Sequence, residues 1–250
     1  MTGRQPPAAR GASPAAGTGG ASAAARAAVL RAGRAMLLLL LPAACAAPAA
    51  PAGPGQPAVR LSASFGAGCV ARGAAVFLGE GRFLTAAHLV DGSLTPPACD
   101  GPPRLALLLG DRAVAARVER LGQSEVDPAE GLRYRGGHDL ALLAAEEPLP
   151  ALPGLRAARP CAGDPGPGRP VAVATPRRSA RTTVVAQAPE ADPAFGTYAE
   201  LQLRLEPGES GGGAFDPVSG CLLGVVSHRE EGEPGTRVVP PAAIRAFLAE

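Results

Sequence analysis

Tryptophan is absent from this sequence, and the other aromatic residues are scarce. Phe and Tyr together make up only 3% of the 250 residues. Proteins that bind single-stranded nucleic acid stack its bases on aromatic side chains, so this composition speaks against a nucleic-acid partner. It also requires a core that is packed mainly from Leu, Val and Ala.

Acidic residues are absent from the first 59 positions, which makes the formal net charge of +2 misleading. Five Arg lie in that stretch, and from Arg60 onward 19 Arg face 22 acidic residues, a balance of −3. The part of the chain that is expected to fold therefore has no basic excess to attract nucleic acid or an anionic membrane.

The N-terminal region also lacks a hydrophobic run of bilayer length. The run Met36–Leu41 is far shorter than the ~20 residues of a transmembrane helix. Arg residues precede it, and the small residues of Pro42–Ala47 follow it. This order of basic, apolar and small segments predicts a secretory signal, and hence export to the periplasm or the extracellular space.

Alternatives remain for this leader. Lipidation of Cys45, as in a bacterial lipoprotein, would give the chain its membrane contact, although Pro42 stands where such sites usually carry Leu. An Ala/Pro-rich tail without a targeting role is another. We expect translation to start nearer Met36, and we assign residues 1–58 to leader, signal segment and Pro/Ala-rich linker.

Short apolar runs separated by Gly and Pro turns follow the linker, and this pattern predicts β-strands. The first group comprises Val59–Phe65, Ala74–Leu78, Arg82–Thr85, Arg104–Leu109, Ala113–Leu121 and Asp139–Leu143. The second comprises Pro170–Thr175, Thr182–Gln187, Tyr198–Leu205, Gly213–Phe215, Leu222–Ser227 and Thr236–Val239. Only Pro241–Glu250 has a helical pattern. We therefore expect an all-β fold of two β-barrels, over residues 59–150 and 151–250, with a short C-terminal helix.

Three segments carry residues that are suited to catalysis. His88 follows an apolar strand end and the small residues Ala86 and Ala87. Asp139 opens an apolar run, where a buried carboxylate needs a hydrogen-bond donor such as a histidine N–H. Ser210 stands among glycines, whose backbone freedom lets successive N–H groups point to one spot beside the hydroxyl. Each residue taken singly is more often structural, so the order His, Asp, Ser is what makes the set specific.

These segments resemble the catalytic motifs of the chymotrypsin-like serine peptidases. Thr85–His88 is similar to Thr-Ala-Ala-His, Asp139–Leu143 to Asp-Leu-Ala-Leu-Leu, and Gly208–Gly212 to Gly-x-Ser-Gly-Gly. The likeness covers roughly Gly66–Glu250, including the strand Leu222–Ser227 beside the substrate cleft. It is nearest to the bacterial trypsin-like, HtrA-like and glutamyl-endopeptidase branches.

The resemblance implies two antiparallel Greek-key β-barrels and an endopeptidase that cleaves polypeptides without a metal or other cofactor. Ser210 would attack the carbonyl carbon, His88 would act as general base, and Asp139 would orient the imidazole. The backbone N–H groups of Gly208 and Ser210 would form the oxyanion hole. Glu209 stands where the digestive members carry Asp, and no Ile-Val-Gly-Gly-like sequence could become an inserted N-terminus. We therefore expect a site that forms on folding.

The family builds the pocket for the residue before the cut from the segment ahead of the serine and the strand after it. Here these segments offer Arg204, Ser227 and His228, and two cations would favour an acidic side chain. Arg204 alternates with Leu203 and Leu205, which equally fits a solvated strand face. The HtrA-like members prefer small apolar residues, and this preference is the one we favour. No carboxylate occupies the expected pocket base, which argues against basic residues.

Four cysteines follow Cys45, and an even number in an exported domain predicts two disulfides. Three pairings are possible, and free buried thiols are the alternative. We predict Cys69–Cys99 and Cys161–Cys221, because each pair lies within one proposed barrel and closes a shorter loop than the crossed pairings.

Other functions are less consistent with the sequence. Gly208–Gly212 also fits the Gly-x-Ser-x-Gly elbow of α/β-hydrolases, but there Asp and His follow the serine and the elbow leads into a helix. His88, His138 and His228 lack the paired helical spacing of a zinc site. The main alternative is a non-catalytic binding module on the same fold, although such descendants usually lose a triad residue.

Overall fold

A computed structural model describes residues 58–66, 68–96, 98–99, 101–127, 131–149, 153–228 and 234–250. The predicted signal segment, the linker up to residue 57, Cys45 and the expected start near Met36 lie outside the described residues. Within the described part, no helix is long and apolar enough to cross a membrane.

Eight described strands lie between Ala58 and Ala145, and six of them close the first barrel. They are β1 (Ala58–Ser64), β2 (Val70–Gly79), β3 (Arg82–Thr85), β4 (Arg104–Leu109), β5 (Arg112–Leu121), β6 (Ser124–Asp127), β7 (Gly131–Tyr134) and β8 (Ala141–Ala145). The barrel order is β1-β2-β3-β8-β5-β4, while β6 and β7 form a separate hairpin.

The second barrel repeats this strand order. Its strands are β9 (Pro170–Ala174), β10 (Ser179–Pro189), β11 (Thr197–Leu201), β12 (Gly213–Phe215), β13 (Leu222–Val226) and β14 (Thr236–Val239). They close in the order β10-β11-β14-β13-β12-β9, and every pairing in both barrels is antiparallel. The α-helix α1 (Pro241–Ala249) follows β14. The predicted fold of two antiparallel Greek-key barrels with a short C-terminal helix is confirmed.

Alternating side chains fill each barrel, as a strand with one buried face requires. In β1, Leu61 and Ala63 are buried, whereas Arg60 between Val59 and Leu61 is exposed. The buried clusters are largely aliphatic, in agreement with the low aromatic content.

A further apolar cluster joins the two barrels to the terminal helix. Val76 and Leu84 of the first barrel pack with Leu222 of the second and with Ile244 and Phe247 of α1. Burying one large apolar side chain stabilises a fold by about 1.5–3 kcal/mol. This cluster therefore fixes the barrels against each other, on which any site between them depends.

The structure contains two disulfides, with the predicted pairing. Cys69 is bonded to Cys99 and Cys161 to Cys221, over sequence separations of 30 and 60 residues. Each cross-link restricts the unfolded chain, and the longer loop is restricted more.

Several local predictions were wrong. The strand predicted at Ala74–Leu78 begins four residues earlier, at Val70, because it pairs with β1 along its length, and the strand predicted at Thr182–Gln187 spans Ser179–Pro189. The predicted strand Tyr198–Leu205 ends at Leu201, because the Leu203 N–H turns back to the Leu201 carbonyl. The strand expected to open at Asp139 begins two residues later, at Ala141. The β6–β7 hairpin was not predicted at all, since its short strands bury little apolar surface and lack the alternation that signals a strand.

Candidate active site

His88 lies on a single 3-10 turn, Ala87–Leu89, directly after β3. Ala86 and Ala87 are completely buried, so only small side chains fit where the chain leaves the barrel. The His88 backbone N–H donates to Asp139 Oδ1 over 3.1 Å, and its Nδ1 lies 2.8 Å from Asp139 Oδ2. The histidine is thus attached to Asp139 by both its backbone and its ring.

The Asp139 carboxylate is 1% exposed and accepts a third hydrogen bond, from Ser227 Oγ at 2.5 Å. Burial alone would raise its pKa. The charge of His88 and the hydrogen bonds from His88 and Ser227 together outweigh burial, and they lower the pKa of Asp139 below 3.8. Asp139 is therefore ionised at neutral pH and can only accept hydrogen bonds.

This carboxylate determines the protonation of His88. Burial opposes the charged imidazolium, but the charge and hydrogen bond of Asp139 outweigh it and hold the pKa of His88 above 6.5. Since Asp139 is an acceptor, His88 Nδ1 must carry the proton, and Nε2 of the neutral ring keeps a lone pair. This is the tautomer that a general base requires.

Ser210 is held by both barrels through its neighbouring backbone. Its carbonyl accepts from the Ala74 N–H of β2 at 2.8 Å, and the next N–H, of Gly211, donates to the Val226 carbonyl of β13 over 2.8 Å. Gly211 has φ +80°, and a Cβ there would lie 2.0 Å from the Ala74 carbonyl oxygen. Only glycine fits at this close approach of the two barrels.

Gly208 and Ser210 present the N–H groups predicted to bind an oxyanion. Gly208 has φ +91°, which glycine adopts without strain. Within the described part of the chain neither N–H has a hydrogen-bond acceptor. Both donors are therefore available to a ligand beside the Ser210 hydroxyl.

Glu209, between these donors, is 2% exposed and has three hydrogen-bond donors. Its Oε1 accepts from Thr175 Oγ1 at 2.9 Å and from Arg178 Nε at 3.1 Å, and its Oε2 accepts from the Glu206 N–H at 2.7 Å. Arg178 also donates to the Arg204 carbonyl. The β9–β10 turn thus supports the whole loop ahead of Ser210.

His88, Asp139 and Ser210 line one cavity of about 500 Å³ between the barrels. A protein-family profile described as "Trypsin-like peptidase domain" matches residues 73–225. The chain belongs to the trypsin-like peptidase family. The profile covers β2 to β13, and therefore includes the segments that carry all three residues.

Solved protease structures share this fold. The active form of Rv3671c protease from M. tuberculosis has a TM-score of 0.54 and 22% identity, covering 78% of this chain and 81% of that chain. Its inactive form has a TM-score of 0.54 and 19% identity, covering 78% and 89%. An inactive mutant form from strain H37Rv has a TM-score of 0.54 and 19% identity, covering 77% of this chain and 85% of that chain. No curated protein matches the sequence.

The candidate pocket residues of this trypsin-like chain are only partly brought together. Ser227 and His228 line the cavity, and His228 Nδ1 lies 2.8 Å from Ser227 Oγ. Arg204 does not line it: its side chain is 64% exposed, with Nε 3.6 Å from Glu206 Oε1. The acidic-pocket interpretation therefore loses one of its two cations.

Several residues of the site were not predicted from the sequence. Tyr134, at the end of β7, lines the cavity and donates to Asp91 Oδ2 at 2.5 Å. Burial and the Asp139 charge raise the pKa of Tyr134, so its hydroxyl stays a donor. Arg178 and Thr175 were also missed, because nothing in the local sequence marks a turn that reaches Glu209 more than 30 residues later. In the described part of the chain, no cluster of three or more His, Cys, Asp or Glu could hold a metal ion.

Proposed function

We propose that this chain is an exported serine endopeptidase, with Ser210 as nucleophile, His88 as general base and Asp139 as the carboxylate that orients His88. The observation that carries the proposal is the buried, ionised Asp139, bonded to His88 Nδ1 in the cavity that Ser210 lines. Burying such a pair stabilises a fold little, so a role in proton transfer is its better explanation.

Catalysis would proceed through an acyl-enzyme. Ser210 Oγ attacks the carbonyl carbon of the peptide while its proton passes to His88 Nε2. The tetrahedral intermediate collapses, the C–N bond breaks, and the imidazolium returns the proton to the leaving amine. Water then attacks the ester with His88 again as base, which releases the carboxylic acid and restores Ser210.

The Gly208 and Ser210 N–H groups would stabilise the negative oxygen of both tetrahedral intermediates. The support is their freedom from internal acceptors, together with the contacts that fix the loop on either side. Loss of one such donor typically costs about 2.7–4 kcal/mol of transition-state stabilisation. Because Arg178 already neutralises Glu209, the loop needs no newly cut N-terminus to hold it.

The pocket for the residue before the cut would favour a small apolar side chain. Leu205, Val226 and Thr236 line the cavity on the side of the second barrel, which supports this preference, and each is at most 6% exposed. The Leu205 N–H donates to Thr236 Oγ1 over 3.1 Å, which satisfies the threonine hydroxyl as an acceptor. A charged side chain at this point would be desolvated beside apolar groups.

Export to the periplasm or the extracellular space is supported by the two disulfides, which persist in oxidising compartments. The signal-like run ahead of Cys45 supports the same location. Lipidation of Cys45 would add a membrane anchor, and no cofactor is needed for the chemistry described.

A serine-directed fluorophosphonate probe tests the proposal on the full chain. We expect labelling at Ser210, loss of labelling in Ser210→Ala, and parental labelling in Ser179→Ala, which alters an exposed serine of β10. An intact, folded chain that never labels would instead support the non-catalytic binding module.

A further inference from the structure

We infer that Arg72 and Arg177 form a cationic wall on the leaving-group side of the cleft, and that this wall selects an acidic side chain at one of the first two substrate positions after the scissile bond. The inference rests on the proposed endopeptidase function. It adds a specificity determinant that lies outside the pocket for the residue before the cut.

Arg72 lies next to the catalytic segments, although it is distant from them in sequence. It belongs to β2 and lines the same cavity as His88 and Ser210. A Cβ on the following Gly73 would lie 2.7 Å from the Ser210 carbonyl oxygen and 2.3 Å from Leu89 Cδ1. The strand therefore touches both the nucleophile's backbone and the turn that carries the base.

Arg177 does not line the cavity but approaches its edge at Gly208 from the second barrel. It lies in the β9–β10 turn, and its exposed NH1 donates to the Pro207 carbonyl at 2.8 Å. A Cβ on Gly208 would lie 3.7 Å from this NH1 and 3.9 Å from the Arg72 carbonyl oxygen. The Arg177 guanidinium and the Arg72 backbone thus lie on the same side of the oxyanion glycine.

The two walls of the cleft come from different barrels. Leu205–Pro207 and Val226–His228, the proposed border of the residue before the cut, belong to the second barrel. Arg72 belongs to the first barrel, beside the His88 turn from which the proton passes to the leaving amine. A substrate that places its carbonyl at Gly208 therefore directs its leaving-group residues toward Arg72.

This side of the cleft has a positive charge that nearby carboxylates do not cancel. Within the described part of the chain Arg72 forms no ion pair. The carboxylates around the site are already engaged: Asp139 with His88, Asp91 with Tyr134, and Glu209 with Arg178. Glu206, which also lines the cavity, lies 3.6 Å from Arg204 Nε. A partly enclosed cationic cleft attracts anionic groups and orients them.

Quenched peptides that differ only after the scissile bond test the inference. Each carries Glu, Gln or Lys at the first or the second leaving-group position. For the parent enzyme at low salt we expect kcat/KM for the better Glu peptide to exceed that for Gln by about fivefold, with Lys lowest. Added salt should reduce the ratio, because exposed charges are screened.

Glutamine variants assign the effect to the two residues. Arg72→Gln and Arg177→Gln should each lower the Glu-to-Gln ratio, and the double variant should bring it near one. Arg104→Gln is the matched control, since Arg104 is an exposed arginine of β4 outside the cavity. The ratio, rather than the rate, is compared, because Arg177 also contacts the Pro207 carbonyl.

Two results would overturn the inference separately from the proposed function. If the parent cleaves Glu, Gln and Lys peptides equally, or if the double variant keeps the full Glu preference, the wall plays no part in specificity. If no peptide is cleaved and Ser210 does not label, both the endopeptidase proposal and the inference are wrong.

Discussion

The Nε of Arg178 lies 3.1 Å from Oε1 of Glu209, the residue directly before Ser210. Arg178→Met should therefore lower kcat/KM by about 10- to 100-fold, because a displaced loop misaligns the Gly208 N–H. The loss of the hydrogen bonds to Glu209 and to the Arg204 carbonyl should also reduce the free energy of unfolding, by about 1.5–3 kcal/mol. Kinetics on one peptide and urea unfolding measure the two effects.

The conservative variant separates positioning from simple destabilisation. Arg178→Lys keeps the charge beside Glu209 and should recover part of kcat, whereas Arg181→Met, an exposed change in β10, should leave kinetics unchanged. Parental kcat in Arg178→Met, with only a lower stability, would show that the ion pair does not position the loop.

Ser210→Ala should abolish peptidase activity and leave the fold intact. The change removes the nucleophilic oxygen and little packing, and loss of a catalytic serine typically lowers kcat by about 10⁶-fold. Circular dichroism and thermal unfolding would verify that the variant is folded. A variant that kept most of the parental rate would exclude Ser210 as the nucleophile.

The acid limb of kcat/KM should report the ionisation of His88. Only the neutral imidazole accepts the Ser210 proton, so the rate falls as the pH drops through the pKa of His88. Burial lowers this pKa, but the charge of Asp139, its hydrogen bond to His88 and the charge of Asp91 together outweigh burial and raise the pKa above 6.5. We therefore expect the midpoint of the acid limb above pH 6.5, measured with a peptide that stays uncharged at that pH.

Removing the Asp139 charge reverses this shift. In Asp139→Asn, made in the Ser210→Ala background, the pKa of His88 should fall, as followed by NMR of the imidazole. In the active enzyme the same change should lower kcat by about 10⁴-fold, because the tautomer is no longer fixed. If the rate of the parent enzyme were constant from pH 4 to 9, His88 would not be the general base.

The pattern of apolar and turn residues predicted strand limits best where a turn lies directly at each end of the strand. Arg82–Thr85, Arg104–Leu109, Gly213–Phe215 and Thr236–Val239 have the predicted limits, because Gly, Pro or a tight turn stops each run. The Tyr198–Leu205 prediction was too long because tertiary hydrogen bonds took over: the Leu205 N–H binds the Thr236 side chain instead of a neighbouring strand. A hydrogen bond from a backbone N–H to a distant side chain produces no periodic pattern in the sequence.

The candidate site shows the same limit. The order His88, Asp139, Ser210 was recognisable because short motifs surround each residue. Arg178 lies in a Pro-Arg-Arg-Ser segment that looks like any exposed turn, and only the closure of the second barrel brings it to Glu209. Arg204 shows the converse: its place in the segment ahead of Ser210 allowed a role in the pocket, whereas its alternation with leucines indicated a solvated strand face. Its side chain is 64% exposed.

The Cys161–Cys221 disulfide should contribute more to stability than Cys69–Cys99. In the chain-entropy account, loops of 60 and 30 residues correspond to about 4.3 and 3.7 kcal/mol. Paired Cys→Ser variants followed by urea unfolding compare the two. Peptide mapping without reduction checks the pairing, which a peptide joining Cys69 to Cys161 or Cys221 would refute.

The last prediction concerns the residue before the cut. In matched peptides with Val, Glu or Arg at that position, Val should have the highest kcat/KM. Leu205, Val226 and Thr236 offer apolar contact, and a carboxylate or guanidinium there would lose its water without an ionic partner, which we expect to cost about tenfold or more. Leu205→Ala should shift the preference toward larger apolar residues, whereas Leu203→Ala, outside the cavity, should leave the order unchanged. A Glu substrate cleaved fastest would restore the acidic preference through His228, and an Arg substrate cleaved fastest would show that the pocket lies elsewhere.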